Sequence, residues 1–201
     1  MSAAIASRPL IEFAIPDRGA GRLAVQAAIV FAGTLLLALS AKTKVVLGPV
    51  DMSLQTLAIL LIGTTFGLRL GVATLLVYLA EGAMGFPVFQ STPEKGIGIA
   101  YMLGSTGGYL AGFVAMGAIV GWAADRGWDR SPVKLFGAML VAETVMMAMG
   151  FAWLAGLIGA EKSWMFGVAP FIVPDLIKLT LAACAMPALW MAADWLRGGR
   201  G

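Results

Sequence analysis

The chain contains no histidine and a single cysteine. The first absence removes the commonest general base and metal ligand of proteins. The second excludes an intrachain disulfide, and Cys184, set in an apolar run, reads as a small buried hydrophobe. Charge is scarce: Asp, Glu, Lys and Arg make up 12% of the residues, against roughly 25% in soluble domains. No GxxxxGK[ST] phosphate loop occurs, and no stretch is polar and long enough for a soluble catalytic domain, so any nucleotide hydrolysis has to come from separate subunits. The net charge of +3 is too small to point to nucleic acid. What fills the chain instead is apolar: 60% of the 201 residues are hydrophobic and mean hydropathy is +0.89. This is the composition of an integral membrane protein.

The first twenty residues do not read as a signal peptide, because Arg8, Pro9, Glu12, Pro16, Asp17 and Arg18 interrupt any apolar core. Residues 1–20 are taken as a cytoplasmic tail with a brief interfacial helix near Leu10–Ile15, residues 21–195 as one six-helix membrane domain, and 196–201 as a second cytoplasmic tail. The apolar runs predict spans over about Arg22–Ala41, Met52–Leu68, Leu70–Met84, Thr106–Ala124, Val133–Ile158 and Ala169–Trp195. The second and third are short and joined by a tight turn at Gly67 and Arg69. Pro174 sits in the first turns of the last helix, where a missing N–H matters least, and Pro187 falls inside it. Lys42–Ser53, with Gly48-Pro49, reads as a turn-rich connection folded back on the protein. Gly85–Ser105, rich in aromatics and glycine, reads as a packed cap, and Gly159–Trp164 as a plain connection. In the first span Ala20, Ala24, Ala28 and Ala32 recur every four residues, a smooth stripe on which another helix can seat.

Basic residues orient the spans. With both termini inside, Arg8, Arg18, Arg22, Arg69, Arg126, Arg130, Lys134, Arg197 and Arg200 are inner, whereas only Lys42, Lys44, Lys95 and Lys162 are outer. That topology gathers the unusual residues in the outer half. Asp175 and Lys178 lie one to two turns down the last helix, three residues apart and so on one face. Each costs several kcal/mol in hydrocarbon, or about 2.5–3.5 on the most lenient scale. Two readings are open: a self-neutralising pair that locks two helices, or the polar wall of a small-molecule site. Glu143 near the midplane and Gln55 at the outer start of the second span are further candidates. So is Thr106-Gly107-Gly108-Tyr109, whose helix-start amides favour an anionic group. Tyr101 can pack on a ligand or anchor at the interface; Gln90 and Glu81 are weaker candidates. A full-depth ion path does not fit this one-sided distribution.

The strings VDMSLQTLAILLIGTTFGLRLG, GFPVFQSTPEKGIGIAYMLGSTGGYLAGF, AETVMMAMGFAWL and VPDLIKLTLAA resemble the biotin-specific S-component (BioY) family of energy-coupling-factor (ECF) transporters, over about Gly21–Ala193. Ser105 stands where that family usually has proline before Thr-Gly-Gly-Tyr, and serine fits the same turn. The resemblance implies an all-α, six-helix S-component fold in a bacterial inner membrane. It implies capture of biotin in an outward-facing pocket, with no cofactor and no catalytic or metal residues. Partners would be a transmembrane T-component, which meets the first helix at Ala24, Ala28 and Ala32, and a pair of ABC-type ATPases; some members function without them. Self-association is also open. Biotin's urea could take Asp175 and Lys178 together, or Lys178 could meet its carboxylate. The competing readings are an S-component for another vitamin, or a structural membrane subunit without a ligand. An intramembrane enzyme is disfavoured because no nucleophile–base pair is present.

Overall fold

The computed structural model describes residues 9–16, 19–46, 51–94 and 96–198. Gly48-Pro49, and Arg8, Arg18, Lys95 and Arg200 of the charges used for orientation, lie outside the described residues. A 3-10 turn at Leu10–Ala14 precedes α1 (Ala20–Lys42). A two-stranded antiparallel hairpin follows, β1 (Lys44–Val46) and β2 (Asp51–Ser53), with Val45 opposite Met52. Then come α2 (Gln55–Ala83), α3 (Gly98–Met102), α4 (Gly107–Ala124), α5 (Pro132–Ile158), α6 (Ala160–Gly167) and α7 (Ile172–Gly198). By length and composition five helical stretches suffice to cross a membrane.

One of them is two limbs. Inside α2, Gly67 has φ +74° and ψ −176°, and the chain reverses there. The Gln55 side-chain amide donates to the Tyr78 hydroxyl at 2.9 Å. In a continuous helix residues so far apart in sequence would be separated by roughly 35 Å. A Cβ placed on Gly71 would lie 3.4 Å from Gly63 Cα, so the limbs touch along their length. The tight turn expected at Gly67 and Arg69 is therefore present. The positive φ favours glycine, and the space does too, since a Cβ at Gly67 would overlap the Asp125 carboxylate and lie 2.8 Å from Pro9 Cγ. Asp125 in turn accepts from the Leu68 N–H at 3.3 Å and caps the second limb as it starts.

Between lipid-facing helices there is little hydrophobic drive to associate, so close backbone approach has to supply contact. α4 provides it on two sides. A Cβ on Gly112 would stand 3.0 Å from Met146 Cα of α5, and one on Gly121 would stand 2.7 Å from Leu68 N of α2. Gly108 and Gly112 thus open α4 to α5, and Gly117 and Gly121 open it to α2. The core between these helices holds Ile59, Leu75, Met116, Val120, Met139, Met146 and Leu179. α1 is peripheral: only 17% of its most apolar window is buried. It is fastened to α2 by Gly33 against Thr74 and by the Thr34 hydroxyl donating to Glu81 at 3.0 Å. Ala20, Ala24, Ala28 and Ala32 are all exposed, as are Leu23 and Phe31.

The membrane-spanning part is helical, as expected, and the fold-back of segment 42–53 takes the form of a short β-hairpin. Two expectations are corrected. The connection after α5 is the helix α6, whose exposed Trp164 and Met165 give it an interfacial character. Cys184 is exposed, not buried. It lies two positions from buried Ala182, about 200° round the helix, on the face opposite Leu179, Ala182 and Met186.

Gly67→Ala is expected to cost about 2–3 kcal/mol, from the disfavoured φ and from displacement of Asp125. Thermal unfolding in detergent should show a midpoint several degrees lower than the parent's, and an unchanged midpoint would contradict the reversal described here.

Candidate functional site

α7 starts after the 3-10 turn Ala169–Phe171, and its first two turns place Asp175 and Lys178 inward. Their exposures are 2% and 7%. The Lys178 ammonium donates to Asp175 Oδ1 at 2.8 Å. It also donates at 3.0 Å to the hydroxyl of Thr56, from the first turn of α2, and that hydroxyl donates onward to Asp175 Oδ1 at 3.3 Å. The pair expected to share a face thus forms a closed triangle with a third residue from another helix. Behind it, on α5, Glu143 is 7% exposed. Neither of its oxygens meets a hydrogen-bond donor among the described residues, and Asp175 and Lys178 are the charges it feels.

The triangle forms one wall of a cavity of about 400 Å³. Gln55 and Thr56 come from the start of α2, and Thr106, Tyr109, Leu110 and Phe113 from one face of the first turns of α4. Met146, Met147, Leu154 and Ile158 come from the second half of α5, with Phe166 and Gly167 closing from α6. These are helix ends of one side, so the cavity opens toward the loops 85–106 and α6. Its size lies within the range of small-molecule sites, about 300–1,000 Å³. Its chemistry is a charge-balanced polar wall facing sulfur, aromatic and aliphatic surface.

The outer wall is built by the segment after α2. Phe89 is 1% exposed, set edge-on to Tyr78 with ring centroids 5.3 Å apart and stacked on Tyr101 at 5.1 Å. The Tyr78 hydroxyl donates to Val88 O at 2.9 Å and the Tyr101 hydroxyl to Gln90 O at 2.7 Å. Burial pushes the Tyr101 phenol above its ordinary value, which keeps it a neutral donor. Gln55, on the cavity wall, joins this frame through Tyr78. The packed cap expected over Gly85–Ser105 is what forms, with α3 inside it.

Of the residues singled out from sequence, Asp175, Lys178, Gln55, Thr106, Tyr109, Tyr101 and Gln90 line the cavity. Glu143 stands behind the wall. Gly107 and Gly108 are spacers: a Cβ on Gly107 would lie 3.0 Å from the Trp153 ring and one on Gly108 would lie 2.6 Å from Met149 O. The Gly107 N–H is spent on Gly104 O at 3.2 Å, and neither glycine lines the cavity. Tyr109 donates its hydroxyl to Gly167 O at 2.7 Å and presents its ring to the cavity. Ala24, Ala28 and Ala32 lie on the exposed face of α1, away from the cavity. Thr56, Phe89, Phe113 and Met146 were not anticipated. Helical spacing holds a signal for two of them: Phe113 is one turn from Tyr109, and Met146 one turn from Glu143.

The sequence profile of the BioY family matches residues 15–194. The chain belongs to the BioY family. It is 37% identical over 147 residues to a probable biotin transporter BioY of Pyrococcus horikoshii, covering 73% of this chain and 85% of that one. It is 32% identical over 151 residues to the biotin transporter BioY of Thermotoga maritima, covering 75% and 86%. Its fold is that of the crystallised S-component for biotin from an ECF-type ABC transporter: TM-score 0.71 at 19% identity, over 87% of this chain and 95% of that one.

Thr56→Val keeps shape but removes the hydroxyl shared by both charges. It should cost roughly 1–2 kcal/mol of stability, seen as a midpoint lowered by a few degrees in detergent, whereas Thr56→Ser should stay near the parent. Equal loss in both variants would mean that packing, not the hydroxyl, matters at this position.

Proposed function

We propose that this chain is the biotin-capturing membrane subunit of an uptake transporter, in which the 400 Å³ cavity receives biotin from the side of the loops. The activity is transport, not catalysis, in keeping with the BioY family to which the chain belongs. The observation that carries the reading is the buried Asp175–Lys178 pair on the wall of a cavity otherwise lined by apolar and aromatic groups. Biotin has the matching halves: a cyclic urea with two N–H donors and one strong acceptor, and an apolar sulfur ring. Asp175 accepts from the urea N–H groups, Lys178 donates to the urea oxygen, and Phe113, Met146 and Tyr109 pack on the bicycle. Charge balance favours this over a contact between Lys178 and the carboxylate. Lys178 is already paired with Asp175 at 2.8 Å, so this wall offers little net attraction to another anion.

In the same reading the cavity faces the outside of a bacterial inner membrane and both termini lie in the cytoplasm, as the distribution of basic residues favours. The exposed face of Ala24, Ala28 and Ala32 receives a T-component, which carries an ABC-type ATPase pair. ATP hydrolysis then belongs wholly to those subunits.

Isothermal titration of the purified protein with biotin tests the assignment, with a panel of other vitamins as competitors. The parent should bind biotin tightly. Asp175→Asn and Lys178→Ala should each lose at least about 100-fold in affinity, since each leaves a buried charge without its partner, and both should still insert and purify as folded protein. Tight binding kept by both variants would remove the pair from the site, and displacement by a different vitamin would reassign the ligand. Separately, Ala28→Trp and Ala32→Trp should leave biotin binding intact and reduce co-purification with a T-component. Unchanged co-purification would place that interface elsewhere.

A further inference from the structure

Lys42, the last residue of α1, reaches across to the segment that forms the outer wall of the cavity. Its ammonium donates to Phe89 O at 2.9 Å, to Thr92 O at 2.5 Å and to Thr92 Oγ1 at 2.9 Å. An ammonium has three N–H donors, and all three are spent here. Thr92 Oγ1 donates in turn to Phe89 O at 2.6 Å, so the acceptors are held together as a set. Phe89, Gln90 and Ser91 lie directly on the cavity, whereas among the described residues none of α1 lines it.

The other tethers of this segment differ in kind. Tyr78, fully buried, and Tyr101, 6% exposed, hold Val88 O and Gln90 O with neutral hydroxyls. Lys42 is exposed, and its charge can return to water when its bonds break. Of the three, it is the attachment whose opening costs least. Without it, the Phe89–Thr92 turn keeps its ring contacts on the inner side but loses what holds its backbone to α1.

We propose that Lys42 is the latch of the cavity's outer wall: the segment 89–92 has to leave Lys42 for a ligand to pass, and the three hydrogen bonds set how long a bound ligand stays. Lys42 is thus a positioning residue, acting through Phe89, Gln90 and Ser91 without touching the ligand. The statement about residence time rests on the reading of the cavity as a biotin site. The statement about the segment does not.

The test uses the full chain with Lys42→Met, which keeps the apolar stem and removes the donors, beside Lys42→Arg and Thr92→Val. Hydrogen–deuterium exchange of ligand-free protein should show the amides of 86–94 exchanging about tenfold faster in Lys42→Met, with α5 and α7 unchanged. In stopped-flow measurements with biotin, the dissociation rate should rise about tenfold while the association rate stays within about threefold. Lys42→Arg, which keeps charge and donors, should recover part of both effects, and Thr92→Val, which removes one of three acceptors, should fall between parent and Lys42→Met. Faster exchange throughout the helices would show a general structural role and overturn the latch. Unchanged exchange of 86–94, or an unchanged dissociation rate where biotin binds, would overturn it as well. Faster exchange of 86–94 in a chain that binds no biotin would uphold the latch and reject the ligand.

Discussion

An ammonium and a carboxylate 2.8 Å apart, both nearly out of reach of solvent, constrain everything around them. Neither could be held alone in an apolar interior, because an unpaired buried charge costs several kcal/mol. Together they still leave hydrogen-bonding capacity unmet, and Thr56 takes up part of it from a second helix. The pair therefore fixes where α7 starts and which face it turns inward, and it ties that start to the first turn of α2. A site built this way has its polar groups oriented before a ligand arrives, which lowers the ordering cost of binding.

The cavity lies on one side because the helices are sewn together on the other. At the far end from the cavity, Gly121 lets α4 meet the reversal at Gly67, and Asp125 caps the limb that leaves it. Asp129 accepts from the Trp190 indole at 2.9 Å, and the Arg130 guanidinium lies 4.3 Å over the same ring. Burial raises the Asp129 carboxyl above its ordinary value, while the indole and Arg130 oppose that rise. Backbone contact, capping and a charge-assisted aromatic cluster close this end. The opposite end has larger side chains between its helices and a folded loop over them, so space remains.

Much of this was legible in the residues. Apolar run length revealed the crossings, and the cost of charge in hydrocarbon picked out Asp175 and Lys178 without any fold. Glycine followed by arginine between two short apolar runs marked the reversal at Gly67. Other features were legible only in three dimensions. A glycine pair at a helix start offers either free amides or close packing. Only the position of Trp153 and Met149 decides that Gly107 and Gly108 do the latter. Thr56 looks like any hydroxyl in an apolar helix, because its role depends on two charges more than a hundred residues away. Cys184 sits in a helix rich in small residues on every side, so its outward face follows from the helix's rotation, not its composition. α6 was hidden by its brevity, since eight residues carry too little periodicity to stand out.

α1 joins two of these themes. Most of its surface is exposed, and its smooth alanine face is unclaimed by the rest of the bundle. Its last side chain nevertheless holds the wall of the cavity. Hydrogen bonds fade within about half an ångström beyond 3 Å, so a displacement of α1 by one or two ångströms would break the Lys42 contacts while leaving the packed helices behind the cavity untouched. The hydrogen bond from Thr34, near the middle of α1, to Glu81 of α2 resists such a shift only locally. The helix least committed to the core is thus the one whose position is read out at the cavity wall. Through the Lys42 bonds the wall is tied to α1, whereas the Asp175–Lys178 pair is tied to α2 through Thr56.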